Sequence, residues 1–138
     1  MGEEAALGGK RVLVLGGETA LGRALTIGLA AAGADIVIAS LKNNTDAKFA
    51  INSALNELWA MQRHGLALAI DATDDAQVRE AVARAERELG RLDGAAVVAN
   101  DDIAPNALHR ALNERPVLVF SEDGEADEAL ADALGSFG

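Results

Sequence analysis

Residues 10–24 read KRVLVLGGETALGRA, and this stretch decides the expected fold. Its apolar run from Val12 to Leu15 stops at two glycines, and a helix-like segment begins near Thr19 and runs to about Ala32. A strand, a glycine turn and a helix in this order are typical of the first unit of a dinucleotide-binding domain. The first turn of a helix has unpaired N–H groups and a partial positive charge, so it attracts phosphate.

The turn itself carries the candidate phosphate site. Gly16, Ala20 and Gly22 follow the spacing G-x-x-x-A-x-G, and small side chains there would let a pyrophosphate approach the backbone. The alternative is a tight strand-to-helix turn without a ligand, because glycine loops also occur where nothing binds. We expect the cofactor phosphates to be held by the loop residues Gly16, Gly17, Glu18, Thr19, Ala20, Leu21 and Gly22.

Composition limits the class of protein. The 138 residues are enough for one domain, residues 1–138, and 50% of them are hydrophobic but only 3% aromatic. The core must therefore consist of Ala, Val, Leu and Ile, as in helices that cover a parallel sheet. Cysteine is absent, which excludes disulfides and thiolate metal sites, and we expect no metal. The net charge of −10 argues against a nucleic-acid partner. Without a signal-like or membrane-length apolar run, we expect a cytoplasmic protein and no membrane contact.

The rest of the chain alternates apolar runs with amphipathic segments. This alternation predicts a doubly wound α/β fold with three layers, a parallel sheet of about five strands in the order 3-2-1-4-5, and right-handed crossovers. We expect strands at residues 12–15, 35–39, 66–70, 94–99 and 117–120. We expect helices at residues 19–32, from about 46 to 63, and at 75–89, 105–113 and 125–134.

Four motifs in order resemble short-chain dehydrogenase/reductases, from about Arg11 to Gly124. The glycine loop resembles the family's T-G-x-x-x-G-x-G, although Leu15 replaces its Thr and Ala20 its middle Gly. IDATD resembles the turn that meets adenine, LGRLDGAAVVAN the lead into N-N-A-G, and RPVLVFSEDG the fifth strand. The resemblance implies a Rossmann-like NAD(P)-binding domain. The resemblance also implies that Asp71 and Ala72 contact adenine. It places Asn100 at the edge of the fourth strand and Ser121 at the position of the catalytic serine.

The residues that transfer a proton in that family have no counterpart in this sequence. The family uses a Tyr and a Lys four residues later, but this sequence has no Tyr, and no Lys follows Ser121. We therefore expect nucleotide binding without turnover by this chain alone. Two alternatives remain: an oxidoreductase in which Ser121 works with a donor from a partner chain or with His109, and a scaffold that binds no nucleotide.

The end of the second strand bears on the choice of cofactor. An acidic residue there would bind the adenosine ribose hydroxyls and indicate NAD. The sequence has Ser40-Leu41-Lys42 instead, so we expect Ser40 and Lys42 to meet the ribose, which favours NADP over NAD. Lys42 as an ordinary surface lysine is the alternative. Asp101 and Asp102 would repel a pyrophosphate if they lie beside it, or they form a solvated loop.

One helix carries a second candidate surface. Phe49, Asn52, Asn56 and Trp59 fall at helical spacing next to the apolar stripe of the second predicted helix. This face is either a partner surface, in which Trp often anchors, or the edge of the core. The segment between the fourth and fifth strands is also too short for the family's usual covering helix. We expect a homo-oligomer, because apolar surface should remain exposed.

Overall fold

The computed structural model describes residues 6–99 and 106–138. The predicted roles of Asn100, Asp101 and Asp102 lie outside these residues. Within these two ranges, the chain forms five parallel strands and five helices in strict alternation. The strands are β1 (Arg11–Leu15), β2 (Asp35–Ala39), β3 (Gly65–Leu68), β4 (Gly94–Ala99) and β5 (Val117–Ser121), and the helices are α1 (Ala20–Ala31), α2 (Thr45–Ala60), α3 (Asp75–Leu89), α4 (Asn106–Leu112) and α5 (Ala126–Phe137).

The sheet has the order β3-β2-β1-β4-β5, which confirms the predicted doubly wound topology. All four strand pairs are parallel, and Leu15 of β1 aligns with Ala39 of β2 and Val97 of β4. One core lies between the sheet and α1, α2 and α5, and a second lies between the sheet and α3 and α4. Side chains of β1 and β2 alternate between the two cores: Val12 and Ile36 pack in the first, and Leu13 and Val37 pack in the second.

Three predicted boundaries differ from the structure by two residues or more. Helix α5 continues to Phe137, past its predicted end at residue 134. The other two differences have a local cause. Helix α2 ends at Ala60 rather than at Arg63. Gln62 takes a left-handed φ of 61°, and the N–H of Arg63 returns to the carbonyl of Leu58, so the chain turns before the predicted end. Strand β3 covers residues 65–68 rather than 66–70, because a side chain replaces the backbone ladder at Ile70.

The described residues contain no helix with the length and apolarity that a membrane crossing requires. Within the same two ranges, no group of three or more His, Asp and Glu side chains is arranged to hold a metal ion.

Candidate functional site

The parallel sheet brings most of the predicted site residues to one edge. The loop after β1, the residues after β2 and β3, and the end of β5 all follow the carboxyl ends of their strands. In an open α/β sheet this edge is where ligands bind, at the point where the strand order reverses. Here that point lies between β1 and β4, directly beside the glycine loop.

The glycines of the loop are required by the chain's own packing. Gly16 has a φ of +100°, and a Cβ there would lie 2.9 Å from the Cβ of Val98. A methyl group on Gly17 would overlap the side chain of Ile38, and one on Gly22 would overlap the carbonyl oxygen of Gly16. These three residues therefore do not by themselves indicate a ligand, because the strand-to-helix turn needs them in any case.

The start of helix α1 leaves backbone donors available. Thr19 is the N-cap: its hydroxyl accepts from the N–H of Gly22 at 2.9 Å and donates to the carbonyl of Gly16 at 2.7 Å. Among the residues that the structure describes, the N–H groups of Ala20 and Leu21 have no hydrogen-bond acceptor. The first turn has no acidic side chain. Ala20 is exposed, whereas the side chain of Leu21 is buried, so Leu21 offers only its backbone.

Glu18 connects this loop to the end of β2. Its carboxylate accepts the N–H of Leu41 at 2.9 Å (Oε1) and 2.8 Å (Oε2), and the N–H of Lys42 at 3.1 Å (Oε2). The sequence analysis named Glu18 only as a member of the loop and missed this contact. The sequence feature that could have indicated this contact is the carboxylate itself, because small or neutral residues would suffice to form a glycine turn.

Ser40 is placed differently from our expectation. It is fully buried, and its hydroxyl accepts the N–H of Ile70 at 3.0 Å and donates to the carbonyl of Ile70 at 3.2 Å. The side chain thus continues the ladder between β2 and β3 past its last backbone pair. A ribose contact by this hydroxyl would break two buried hydrogen bonds, so the geometry speaks against that predicted role.

Lys42 is exposed and borders a cleft at the same edge. The cleft has a volume of ≈ 230 Å³ and is lined by Glu18, Thr19, Leu41, Lys42 and Glu122. Two carboxylates and one ammonium therefore line it. Glu122, which follows β5, was not named in the sequence analysis, because its approach to Glu18 depends on the position of the fifth strand.

Asp71 and Ala72 lie in the turn after β3. Asp71 Oδ1 accepts from the N–H of Thr73 at 3.0 Å and from its hydroxyl at 2.6 Å, and these two hydrogen bonds lower the pKa of Asp71. The carboxylate is therefore ionised at neutral pH, and its Oδ2 makes no hydrogen bond among the described residues. Ala72 is buried, and its N–H donates to the carbonyl of Leu41 at 2.9 Å.

The two residues considered for proton transfer, Ser121 and His109, are both exposed and lie on different elements. Ser121 is exposed at the end of β5, in register with Ala99 of β4, and its hydroxyl lies 3.4 Å from the N–H of Asp123. His109 is exposed on α4. The other histidine, His64, precedes β3 and so lies at the amino end of the sheet, away from the candidate site.

Comparisons with known proteins identify a family. Its sequence profile, described as short chain dehydrogenase, matches residues 10–115. An L-rhamnose 1-dehydrogenase (NAD(P)(+)) from Sphingomonas sp. (strain SKA58) is 34% identical over 99 residues, which are 72% of this chain and 37% of that protein. This chain thus spans just over a third of the length of that curated relative.

Solved structures share the fold. A blue fluorescent protein from a metagenomic library, in complex with NADPH, superposes with a TM-score of 0.73 at 24% identity, over 94% of this chain and 66% of that one. A short chain dehydrogenase from Mycobacterium thermoresistibile gives a TM-score of 0.69 at 19% identity, over 96% of this chain and 65% of that one. The agreement at such low identity reflects the common sheet order and crossover connections.

Proposed function

Because the chain belongs to the short-chain dehydrogenase family, we propose that it binds a nicotinamide dinucleotide at the carboxyl edge of the sheet and does not turn over substrate by itself. The observation that carries the proposal is the start of helix α1. The N–H groups of Ala20 and Leu21 have no acceptor among the described residues, and no acidic side chain occupies that turn. Such a helix end attracts a diphosphate.

The remaining roles follow the strand ends. The unbonded Oδ2 of Asp71 would accept the adenine amino group, and Ala72, which packs in the core, would fix the turn that carries Asp71. Lys42 and the Glu18 carboxylate lie where the adenosine ribose would sit. Asn100 keeps the role that the family resemblance implies, at the edge of the fourth strand. The described charges near this edge are mostly negative, so phosphate binding depends on the local backbone donors.

The absence of turnover is proposed from the residues that would move a proton. A serine hydroxyl is difficult to ionise without an adjacent base. Ser121 is solvent-exposed, and among residues 6–99 and 106–138 its hydroxyl has only a long contact to a backbone N–H. The sequence contains no Tyr and no Lys after position 121. The alternative is an oxidoreductase completed by a partner chain, which the exposure of Ser121 would permit. Hydride transfer to carbonyl compounds that is lost in Ser121→Ala would establish it.

Calorimetric titration tests the binding proposal directly. NADH and NADPH are each titrated into the purified chain, with ATP and nicotinamide as partial ligands. We expect at least one dinucleotide to bind more tightly than nicotinamide, because only the dinucleotide offers a pyrophosphate to α1. If neither dinucleotide binds at millimolar concentration, the domain is a scaffold rather than a nucleotide site.

Ala20 provides a sharper test of where the pyrophosphate passes. Ala20→Gly removes a methyl group from the exposed first position of α1 and should tighten dinucleotide binding several-fold while slightly destabilising the helix. Ala24→Gly is the matched control, because Ala24 is also exposed on α1 but lies one turn further from the loop. It should lower stability without changing affinity. Equal affinities for the wild-type chain and Ala20→Gly would refute this placement.

We also propose that the chain self-associates. Three large apolar side chains are exposed in the described part of the chain: Phe49 (77%) and Trp59 (57%) on α2, and Val119 (48%) on β5. The exposure of Phe49 and Trp59 supports the partner-surface interpretation over the core-edge alternative. Sedimentation of the wild-type chain tests this proposal.

A further inference from the structure

Glu18 supplies a carboxylate at a position where the second strand has none of its own. The residues after β2 are Ser40, Leu41 and Lys42, none of them acidic. The Glu18 carboxylate nevertheless lies against this segment, accepting N–H hydrogen bonds from Leu41 and Lys42 at 2.8–3.1 Å. Glu18 belongs to the loop after β1, and it lies 23 residues before Leu41 and 24 residues before Lys42 in the chain.

The end of the second strand is where dinucleotide-binding domains distinguish NAD from NADP. An acidic side chain there accepts the 2′-hydroxyl of the adenosine ribose, which selects NAD, whereas a cationic side chain accommodates a 2′-phosphate. An ionised carboxylate has about four lone-pair sites. Two backbone donors occupy part of this capacity on Glu18, so acceptor sites remain for a ribose diol.

The charges of the cleft point in the same direction. A 2′-phosphate entering it would meet Glu18 and Glu122, with Lys42 as the one cation among the described lining residues. It would also have to displace the Glu18 carboxylate to reach the N–H groups of Leu41 and Lys42. The carboxylates of Glu18 and Glu122 would repel the negative charge of the 2′-phosphate, and this repulsion is stronger in a partly desolvated cleft than in water.

We propose that Glu18 is the residue that selects the cofactor: its carboxylate binds the adenosine ribose hydroxyls and excludes a 2′-phosphate, so the chain prefers NAD(H) to NADP(H). This inference rests on the proposed dinucleotide site. It differs from the expectation drawn from Ser40 and Lys42, because the Ser40 hydroxyl is committed to the β2–β3 ladder and the Lys42 side chain shares the cleft with two carboxylates.

The test compares affinities for NADH and NADPH, and for the half-ligands 5′-AMP and 2′,5′-ADP, in the wild-type chain, Glu18→Gln and Glu122→Gln. A hydrogen bond to a charged group corresponds to roughly 10- to 100-fold in affinity. We expect wild type to bind NADH at least ~10-fold more tightly than NADPH, and Glu18→Gln to reduce that ratio about tenfold. Glu122→Gln removes the same charge from the same cleft without the backbone contacts, and it should change the ratio less than about threefold.

The outcomes separate the inference from the proposed function. If wild type binds neither dinucleotide, both are overturned. If the wild-type chain binds NADH and NADPH equally, or if Glu18→Gln leaves the ratio of the two affinities unchanged, the proposed role of Glu18 is refuted. The proposed dinucleotide site is not refuted by either result. If Glu18→Gln tightens both cofactors equally, Glu18 is a plug rather than a ligand, which also overturns the inference. Should Glu18→Gln fail to fold, Glu18→Ala is measured in the same way, and thermal melts establish that each variant is folded.

Discussion

Replacing Ser40 with alanine removes the hydroxyl that joins β2 to the chain beyond β3. The last ladder bond here runs from the N–H of Ser40 to the carbonyl of Leu68 at 3.1 Å. The Ser40 side chain then makes both hydrogen bonds to the backbone of Ile70. Ser40→Ala keeps the backbone bond and leaves the Ile70 N–H and carbonyl without their partner.

The expected loss of stability follows from burial. Ser40 is 0% exposed and Ile70 is 9% exposed, so water cannot easily replace the lost hydroxyl. Two net hydrogen bonds and a buried backbone donor left unsatisfied amount to about 3 kcal/mol. For a domain of this size, that lowers the melting temperature by roughly 10 °C.

Urea unfolding followed by circular dichroism at 222 nm measures this loss, with Ser121→Ala as the control. Ser121 is exposed, so its substitution should change the free energy of unfolding by less than about 0.5 kcal/mol. Binding of NADH and NADPH should be the same in Ser40→Ala and wild type under conditions where both are folded. A stability loss below ~0.5 kcal/mol, or a selective loss of NADPH affinity, would refute the structural role of Ser40.

Three further predictions concern other parts of the fold. Gly22→Ala should destabilise the chain by about 3 kcal/mol or more in urea, because its methyl group meets a backbone carbonyl that cannot move cheaply; a loss under ~1 kcal/mol would contradict the tight turn. Partial burial raises the pKa of Glu86, but hydrogen bonds from Arg115 and from the N–H of Leu92 outweigh it, so the pKa lies below 4.5. The stabilisation by Glu86 is therefore complete above pH 4.5 and is lost as the pH falls through the folded-state pKa. When the free energy of unfolding is measured at decreasing pH, Glu86→Gln should show a smaller loss than the wild-type chain. A Phe49→Glu/Trp59→Glu variant should sediment as a monomer, and an oligomer of unchanged mass would exclude this face as the interface.

The predicted topology and its errors have different physical origins. The strand order was predictable because buried parallel strands read as apolar runs and because crossover connections are right-handed. The end of α2 was missed because Gln62 has no sequence feature that demands a left-handed φ. The structural role of Ser40 was missed because the hydroxyl's partner, Ile70, lies 30 residues away in the chain. The local sequence does not show whether a polar residue at a strand end faces solvent or the next strand.

The sequence by itself determined the alternation of strands and helices, the small-residue turn before α1, the family resemblance and the lack of a Tyr for proton transfer. These are local patterns, and each depends on residues close together in the chain. Only the tertiary structure decided that Glu18 reaches the backbone of Leu41 and Lys42 and that Glu122 borders the same cleft. Those relations depend on the parallel packing of β1, β2 and β5, which brings the carboxyl ends of distant segments to one edge of the sheet.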